Sequence, residues 1–397
     1  MNFRSKFTIA STFGAVVVAG ALLADIMRSA PSKADDKVEL QLDVAATAAA
    51  EYLRRSVNGD GSFIYSYDPV RDRSKDTYNI LRHAGALFSM IEYYDSNKSK
   101  AMLEAINRSI GYLLQTMKPC PQTPKDLCVI EDDATKLGGN GLALLALSEY
   151  TAVTGDSSHL EVMRRLASRL NTVQKPSGEF GFHKQHARTG EDMKMISEYY
   201  PGESIFALVR FYDVDSNRKW LDTAKRATDW LINVRDKDLT IESIEHDHWL
   251  LYGLDKLYTH FPEKKILEHA RKIVDAILAA QISSHQIPAW IGGYRTPPSS
   301  TPAATRSEGL MAAHRLFSRV KNKPAYAAYP DRILKAVQLS MQFQLSTQVT
   351  SERQRLLGFH GHALGGFTSS LTEFDIRNDY VQHNLSSILA LQAALEK

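Results

Sequence analysis

Two cysteines are all that this 397-residue chain contains. Both sit in one proline-containing loop, Cys120-Pro-Gln-Thr-Pro-Lys-Asp-Leu-Cys128, so a disulfide-scaffold fold is excluded and a local bridge is the favoured use of the pair. A zinc site would need further ligands at suitable spacing, and none are near. An excess of one charge is also missing. The net charge is +3, Lys and Arg are mixed evenly with acids, and no basic run stands out, which argues against nucleic acid as a partner. Strand-period alternation is scarce beyond short stretches such as Phe63-Ile64-Tyr65, so the chain reads as helical. With 44% apolar and 23% charged residues it can bury a large core and shows no signature of wholesale disorder.

An uncharged run occupies residues 7–24, preceded by Arg4 and Lys6 and followed by Asp25, Arg28 and Ser32-Lys33-Ala34-Asp35-Asp36. A positive segment before an apolar one is expected to act as a signal peptide or membrane anchor. Ser32-Lys33-Ala34 offers a small-x-small cleavage site, while about 18 apolar residues just suffice to span if the segment stays uncleaved. The expectation is residues 1–38 as signal or anchor plus a polar linker, with 39–397 on the periplasmic or extracellular face, membrane-anchored or secreted.

Beyond residue 39 the chain alternates. Apolar helical patterns open at Leu81-Arg82-His83-Ala84-Gly85, Gly138-Gly139-Asn140-Gly141, Pro201-Gly202-Glu203-Ser204, His246-Asp247-His248-Trp249, Arg306-Ser307-Glu308-Gly309 and Tyr380-Val381-Gln382-His383-Asn384. Between them run amphipathic patterns, as in Trp220-Leu221-Asp222-Thr223-Ala224-Lys225-Arg226, whereas Leu142-Ala143-Leu144-Leu145-Ala146-Leu147 carries no charge at all. A helix apolar all round is buried and an amphipathic one faces water on one side. Six such pairs predict a closed double ring of twelve helices, with the inner helix starts sharing one mouth. Short turns such as Thr154-Gly155-Asp156-Ser157 serve one face, and long loops rich in Gly, Pro, aromatics and ionisable groups serve the other. Function is expected on the elaborated face.

The long loops repeat a local signal: Asp60-Gly61-Ser62-Phe63, Gln174-Lys175-Pro176-Ser177-Gly178-Glu179-Phe180, Trp290-Ile291-Gly292-Gly293-Tyr294 and Gly365-Gly366-Phe367. With the helix pairing, this resembles the six-hairpin (α/α)6 toroid of glycosidases, polysaccharide lyases, sugar epimerases and the prenyltransferase and terpene cyclase relatives. The resemblance implies an all-α (α/α)6 toroid over about residues 40–397. Gln174, Gly178 and Phe180 match the Gln-x-x-x-Gly-x-aromatic repeat of the terpene cyclase group, but that group's Asp-x-Asp-Asp proton donor and the prenyltransferase zinc ligands are absent. Arg377-Asn378-Asp379-Tyr380, followed by His383, is similar to the Arg-x-Asp-Tyr stretch of glucuronyl C5-epimerases.

Chemistry on the shared mouth can be read in two ways. Glu203 and Glu308, with Asp247 between them in sequence, are expected near inner-helix starts, where acids also complement helix dipoles. Two carboxylates flanking a bond are what glycoside hydrolysis needs. Asp192 and Glu131-Asp132-Asp133 are reserve acids, more simply read as solvated. The histidines compete for the same role: His83, His248 and His383 also fall at helix starts, and an imidazole can remove and return a proton at a sugar carbon. Arg82, Arg306, Arg377 and Asn140 would then stabilise the enolate-like intermediate. Phe63, Phe180, Tyr294 and Phe367 are assigned to plugging the hairpin ends, while Trp249 and Trp290, with Asp379 and Tyr380, are the substrate-binding candidates. His246-Asp247-His248 and His360-Gly361-His362 lack the spacing of a zincin, so no metal or other cofactor is expected.

The leading expectation is an exported enzyme that hydrolyses glycosidic bonds in a polysaccharide or oligosaccharide. The runner-up is a sugar epimerase or lyase working through the rim histidines, and the third reading is a toroid that binds a glycan or protein without catalysis.

Overall fold

In the computed structural model, residues 31–396 are described, with side chains from residue 41. The expected signal or anchor segment lies largely outside them. No helix among the described residues is long and apolar enough to cross a membrane.

The chain alternates outer and inner helices as the apolar patterns predict. The outer members are α1 (Pro31–Ser56), α3 (Lys100–Gln115), α5 (Leu160–Thr172), α7 (Arg218–Trp230, extended by a π turn Leu231–Arg235), α9 (Lys264–Ala280) and α11 (Tyr329–Thr347). The inner members are α2 (Ile80–Asn97), α4 (Leu137–Thr154), α6 (Tyr200–Asp215), α8 (His248–Tyr258), α10 (Ser300–Ser318) and α13 (Asn378–Leu395), with a short extra helix α12 (Ser351–Leu357) in the last long loop. Each inner helix packs against the next, and α13 packs against α2, so the inner ring closes into an (α/α)6 toroid. α4 shows why it is inside: it is buried from Leu137 through Ser148, and no outward polar stripe exists to keep wet. α7 buries only Trp220, Leu221, Thr223, Ala224, Ala227 and Thr228, at helical spacing, and turns its charges outward. α1 begins at Pro31, within the segment expected to be linker.

Left-handed residues end three inner helices and start the tight turns to the outer ring: Lys98 (φ 50°), Gly155 (φ 76°) and Ser216 (φ 54°). The opposite connections carry the glycine-aromatic repeat, and its physical basis is visible at four of them. Gly61, Gly178, Gly292 and Gly365 all have positive φ, and a Cβ on each would lie 2.0–2.2 Å from a backbone carbonyl oxygen of the next outer helix, at Arg108, Arg226, Leu339 and Ala48 respectively. The aromatic two residues on, Phe63, Phe180, Tyr294 or Phe367, pairs back by a β-bridge to Val57, Gln174, Gln281 or Gln348 and is buried. Gln174, Gln281 and Gln348 each donate a side-chain hydrogen bond to the neighbouring outer helix, at Thr223 O, Ala336 O and Ala45 O. The repeat is therefore a latch between successive hairpins, and the latch onto Ala48 closes the outer ring.

Two features depart from expectation. The long loops contain two small antiparallel sheets: β2-β1-β7, built from Arg73–Ser74, Ser66–Asp68 and Ile376–Arg377, and β3-β4-β5-β6, built from Met117–Pro119, Leu127–Glu131, Ala134–Lys136 and Lys184–His186. Strands this short join loops remote in sequence, so no local alternation announces them. In addition, α10 begins at Ser300, so Glu308 lies about two turns inside the helix rather than in its first turn. Cys120 and Cys128 form the expected disulfide.

Candidate active site

The mouth formed by the long loops receives the N-terminal ends of the inner helices. Glu203 is in the first turn of α6, and Asp247 is the N-cap of α8, its Oδ1 accepting from Leu250 N at 3.0 Å. His248 opens α8, Arg306 and Glu308 follow within α10, and Asp379 and His383 lie in α13. Small residues let these helix ends approach. A Cβ at Gly309 would lie 3.0 Å from His248 Cα, and one at Gly138 would lie 2.0 Å from Glu203 Oε2.

The carboxylates fall into two electrostatic neighbourhoods. Glu203 has Asp247, not Glu308, as its charged neighbour. Both are fully buried, and Glu203 Oε2 and Asp247 Oδ2 have no hydrogen-bond partner among the described residues. Burial, and then the Asp247 charge, push Glu203 up to about 8, and burial pushes Asp247 up to about 7. Glu308 instead joins the histidines. Its Oε2 is 2.7 Å from His383 Nδ1 and 4.0 Å from His248 Nε2, and the two rings meet edge to face with centroids 5.2 Å apart. Burial raises the Glu308 carboxyl and the neighbouring His383 opposes the rise. His248 has no partner for either ring nitrogen among the described residues. Burial, then His383 and Arg306, hold its pKa well below the ordinary imidazole value, so it is neutral at pH 7.

Arg306 is the cation of this group. Its Nε donates to His246 Nδ1 at 2.8 Å and its guanidinium carbon lies 5.0 Å from the centre of the Tyr294 ring. Its Nη1 donates to Pro302 O at 3.1 Å, no carboxylate among the described residues forms an ion pair with it, and its charge is felt at His248. Burial followed by the Arg306 charge lowers His246 to about 4. Tyr199, 39% exposed, places its ring 6.3 Å from His248. Trp249, expected to line a subsite, is buried against His248, Phe206 and Tyr252 and forms the floor instead.

Other expected site residues lie elsewhere. His83 is fully buried between α2 and α3, with Nδ1 2.7 Å from Tyr78 Oη, Nε2 3.0 Å from Ser109 O and its ring stacked on Tyr112. Both nitrogens are used, and burial lowers it to about 4, so it is a core histidine. Asn140 accepts from Val129 N at 2.7 Å and ties β4 to α4. Trp290 stacks on His285 in the loop before α10. Arg82, Asp379 and Arg377 form a separate charge chain: Asp379 takes Arg82 at 3.2 Å and Arg377 at 2.5 Å, while Arg377 lies over the Tyr380 ring at 4.4 Å. Arg82 also donates to Tyr65 Oη. Among the reserve acids, Glu131 accepts from Ile80 N at 2.5 Å and pairs with Lys136, while Asp192 pairs with Lys194. His360 and His362 do not converge on a common point, the first facing Asp72 and the second packing between Tyr52 and Tyr67.

Two participants escaped the sequence reading. Gln382 places its amide nitrogen 3.1 Å from His383 Nδ1, and Gly138 makes room for the Glu203 carboxyl. Neither carries a signal that sets it apart from its neighbours in sequence. Only His248, Glu308 and His383 form a three-donor group able to hold a metal among the described residues.

Residues 78–304 match the β-L-arabinofuranosidase GH127 catalytic domain. The chain belongs to this family. It is a carbohydrate-active enzyme whose substrate is a sugar. The matched span holds Glu203, Asp247 and His248 and ends before Arg306, Glu308 and His383. Among solved structures, the chain is similar to cellobiose 2-epimerase from Bacillus thermoamylovorans, with 14% identity, TM-score 0.68, and coverage of 90% of this chain and 100% of that one. It is also similar to D-mannose isomerase (15% identity, TM-score 0.64, 92% and 100%) and to the α-1,6-mannanase GH76A of a Salegentibacter species (12%, 0.60, 89% and 99%). At these identities the likeness shows the fold. No curated protein matches the chain in sequence.

Proposed function

We propose that this enzyme interconverts sugars by moving a proton at the carbon beside the carbonyl of an open-chain substrate, as an epimerase or isomerase. The observation that carries the reading is the His248, Glu308 and His383 cluster, with Arg306 next to it in α10. His248, neutral and unpartnered, accepts the C–H proton. Electrons from that bond move into the carbonyl to give an enediolate, whose oxygen the unpaired Arg306 guanidinium stabilises. His383, oriented by Glu308 through Nδ1, presents Nε2 to return a proton to carbon, at C2 from the other face for epimerisation or at C1 for isomerisation; His248 then gives its proton to solvent and His383 takes one back. No electrons or groups are gained or lost overall. The epimerase and isomerase named among the similar structures act on cellobiose and D-mannose, which makes reducing hexoses and their disaccharides the first substrates to try.

Incubation in heavy water with a panel of reducing sugars tests this reading. Deuterium at C2 is expected, and it should vanish in His248→Ala and in His383→Ala. Release of new reducing ends from a glycan, with no exchange, would replace the reading by hydrolysis.

Hydrolysis is the second reading, and it draws on the family match together with the carboxyl of Glu203, held protonated near neutrality as a general acid must be. Export belongs to the same proposal. The apolar segment at residues 7–24 supports it, as does a disulfide of the kind an oxidising compartment preserves.

A further inference from the structure

We propose that His248, Glu308 and His383 also form a zinc site, and that Zn²⁺ bound there switches the enzyme off. The inhibitory half of this proposal rests on the proton-transfer reading above; the binding half does not. One donor atom from each of the three residues lies within 4.8 Å of the others, and all three residues are buried. The ring nitrogens of His248 and Oε1 of Glu308 have no hydrogen-bond partner among the described residues, while Glu308 Oε2 and His383 Nδ1 bind each other, so the cluster keeps donor capacity on His248 and Glu308 that the fold does not use. Such groups are costly to bury unless something binds them.

Two imidazoles and one carboxylate, with a further position left open, are a donor set that suits zinc; magnesium and calcium prefer shells made of oxygen. Tetrahedral coordination at Zn–N and Zn–O lengths places donors about 3.4 Å apart. Glu308 Oε2 and His383 Nδ1 already lie closer than that, at 2.7 Å, and His248 Nε2 is 4.0 Å from the same oxygen. His248 is the member free to turn, because no hydrogen bond tethers its ring. The fourth ligand comes from the mouth, to which the His383 and His248 side chains keep 11% and 7% of their surface open. Coordination expels the proton shared along Nδ1···Oε2, ties up the His248 lone pair that would accept the C–H proton, and keeps His383 from becoming the imidazolium that returns one, so exchange at the sugar carbon stops. For the same reason, binding weakens on acidification.

Calorimetric titration of the EDTA-treated, dialysed full chain with ZnCl₂ tests the site, alongside inhibition of C2 deuterium exchange. One zinc per chain is expected, with exchange lost in proportion to occupancy and restored by EDTA, and with MgCl₂ without effect. His248→Ala and Glu308→Gln should each weaken zinc binding by roughly 100-fold, while His360→Ala, on the outer loop, leaves it intact. X-ray absorption of the zinc-loaded wild type should show two imidazoles and one carboxylate, which removes dependence on any variant that folds poorly. Failure to bind one zinc, or binding that survives both substitutions with an all-oxygen or single-imidazole shell, overturns the site. If exchange proceeds and zinc does not bind, the zinc site alone falls. If zinc binds with the expected ligands but no sugar exchanges, the proton-transfer reading and the inhibitory half fall, and the metal site stands.

Discussion

His383 Nδ1 and Glu308 Oε2 lie 2.7 Å apart, joining the last inner helix of the chain to the one before it at a fully buried point. The contact fixes which nitrogen of His383 turns inward and which is left for a substrate. Glu308 is thus a positioning residue in the proton-transfer reading. Glu308→Gln keeps the shape but weakens the hold on the imidazole. It should lower kcat for C2 exchange by roughly 10²-fold with KM nearly unchanged, and Glu308→Asp should recover part of the loss. An unaltered kcat in Glu308→Gln would remove Glu308 from the mechanism.

His83 makes the fold sensitive to acid. Its pKa falls from 6.5 to about 4 on folding because it is buried. Between those values the unfolded chain binds the proton and the folded one does not, so stability drops as pH falls from about 6.5 to 4 and levels off below. For a fully buried group the loss is roughly 3 kcal/mol across the window. Urea melts at pH 7 and pH 5 measure it, and in His83→Phe the difference between the two should shrink. An identical pH dependence in the variant would mean that the acid sensitivity comes from other groups.

Glu203 and Asp247 work in the opposite direction. Their folded pKa values, about 8 and about 7, stand above the ordinary carboxyl values of 4.5 and 3.8, so the folded state holds extra protons in between. Their contribution to stability is complete below the ordinary values and is lost as pH rises through 7 and 8. Glu203→Gln removes one of the two like charges and should raise Tm more at pH 8 than at pH 5. A uniform shift at both pH values would show that the two carboxyls are not coupled.

The glycine latches predict a sharp contrast between latch and non-latch glycines. Gly178 has φ +97° and stands against Arg226 O, where a Cβ would come within 2.2 Å, whereas Gly59 has open space around it. Gly178→Ala should cost at least about 1 kcal/mol, and Gly59→Ala should be close to neutral. Equal Tm values for the two variants would show that the latch does not bind the hairpins together.

The architecture was legible because its signals are local. A run such as Leu142 to Leu147 states its own burial, and the spacing of Gln174, Gly178 and Phe180 encodes a positive-φ turn and a plug within a few residues. The site was legible as a set of residues but not as a set of pairs. His83 and His383 look alike at helix openings, yet they face opposite sides of the inner ring, since each residue along a helix turns its side chain by about 100°. The start of α10 was hidden because Pro302, within its first turn, reads as a break although a missing N–H costs nothing there. Glu308 therefore lies deeper along its helix than an opening position would. The partnership of Glu308 with His383 spans 75 residues and depends on helix phase in both partners, which no window of sequence contains.

Gly365 docks on Ala48 of the first outer helix, and α13, the helix that carries His383, is the last to join the ring. The seam therefore joins the first and last helices of the ring, and one of the two facing histidines stands beside it. A partly assembled toroid with four or five hairpins in place still lacks this closure. Under the proton-transfer reading, competence requires α13 in place, so loss of that one element leaves an open ring with no imidazole opposite His248.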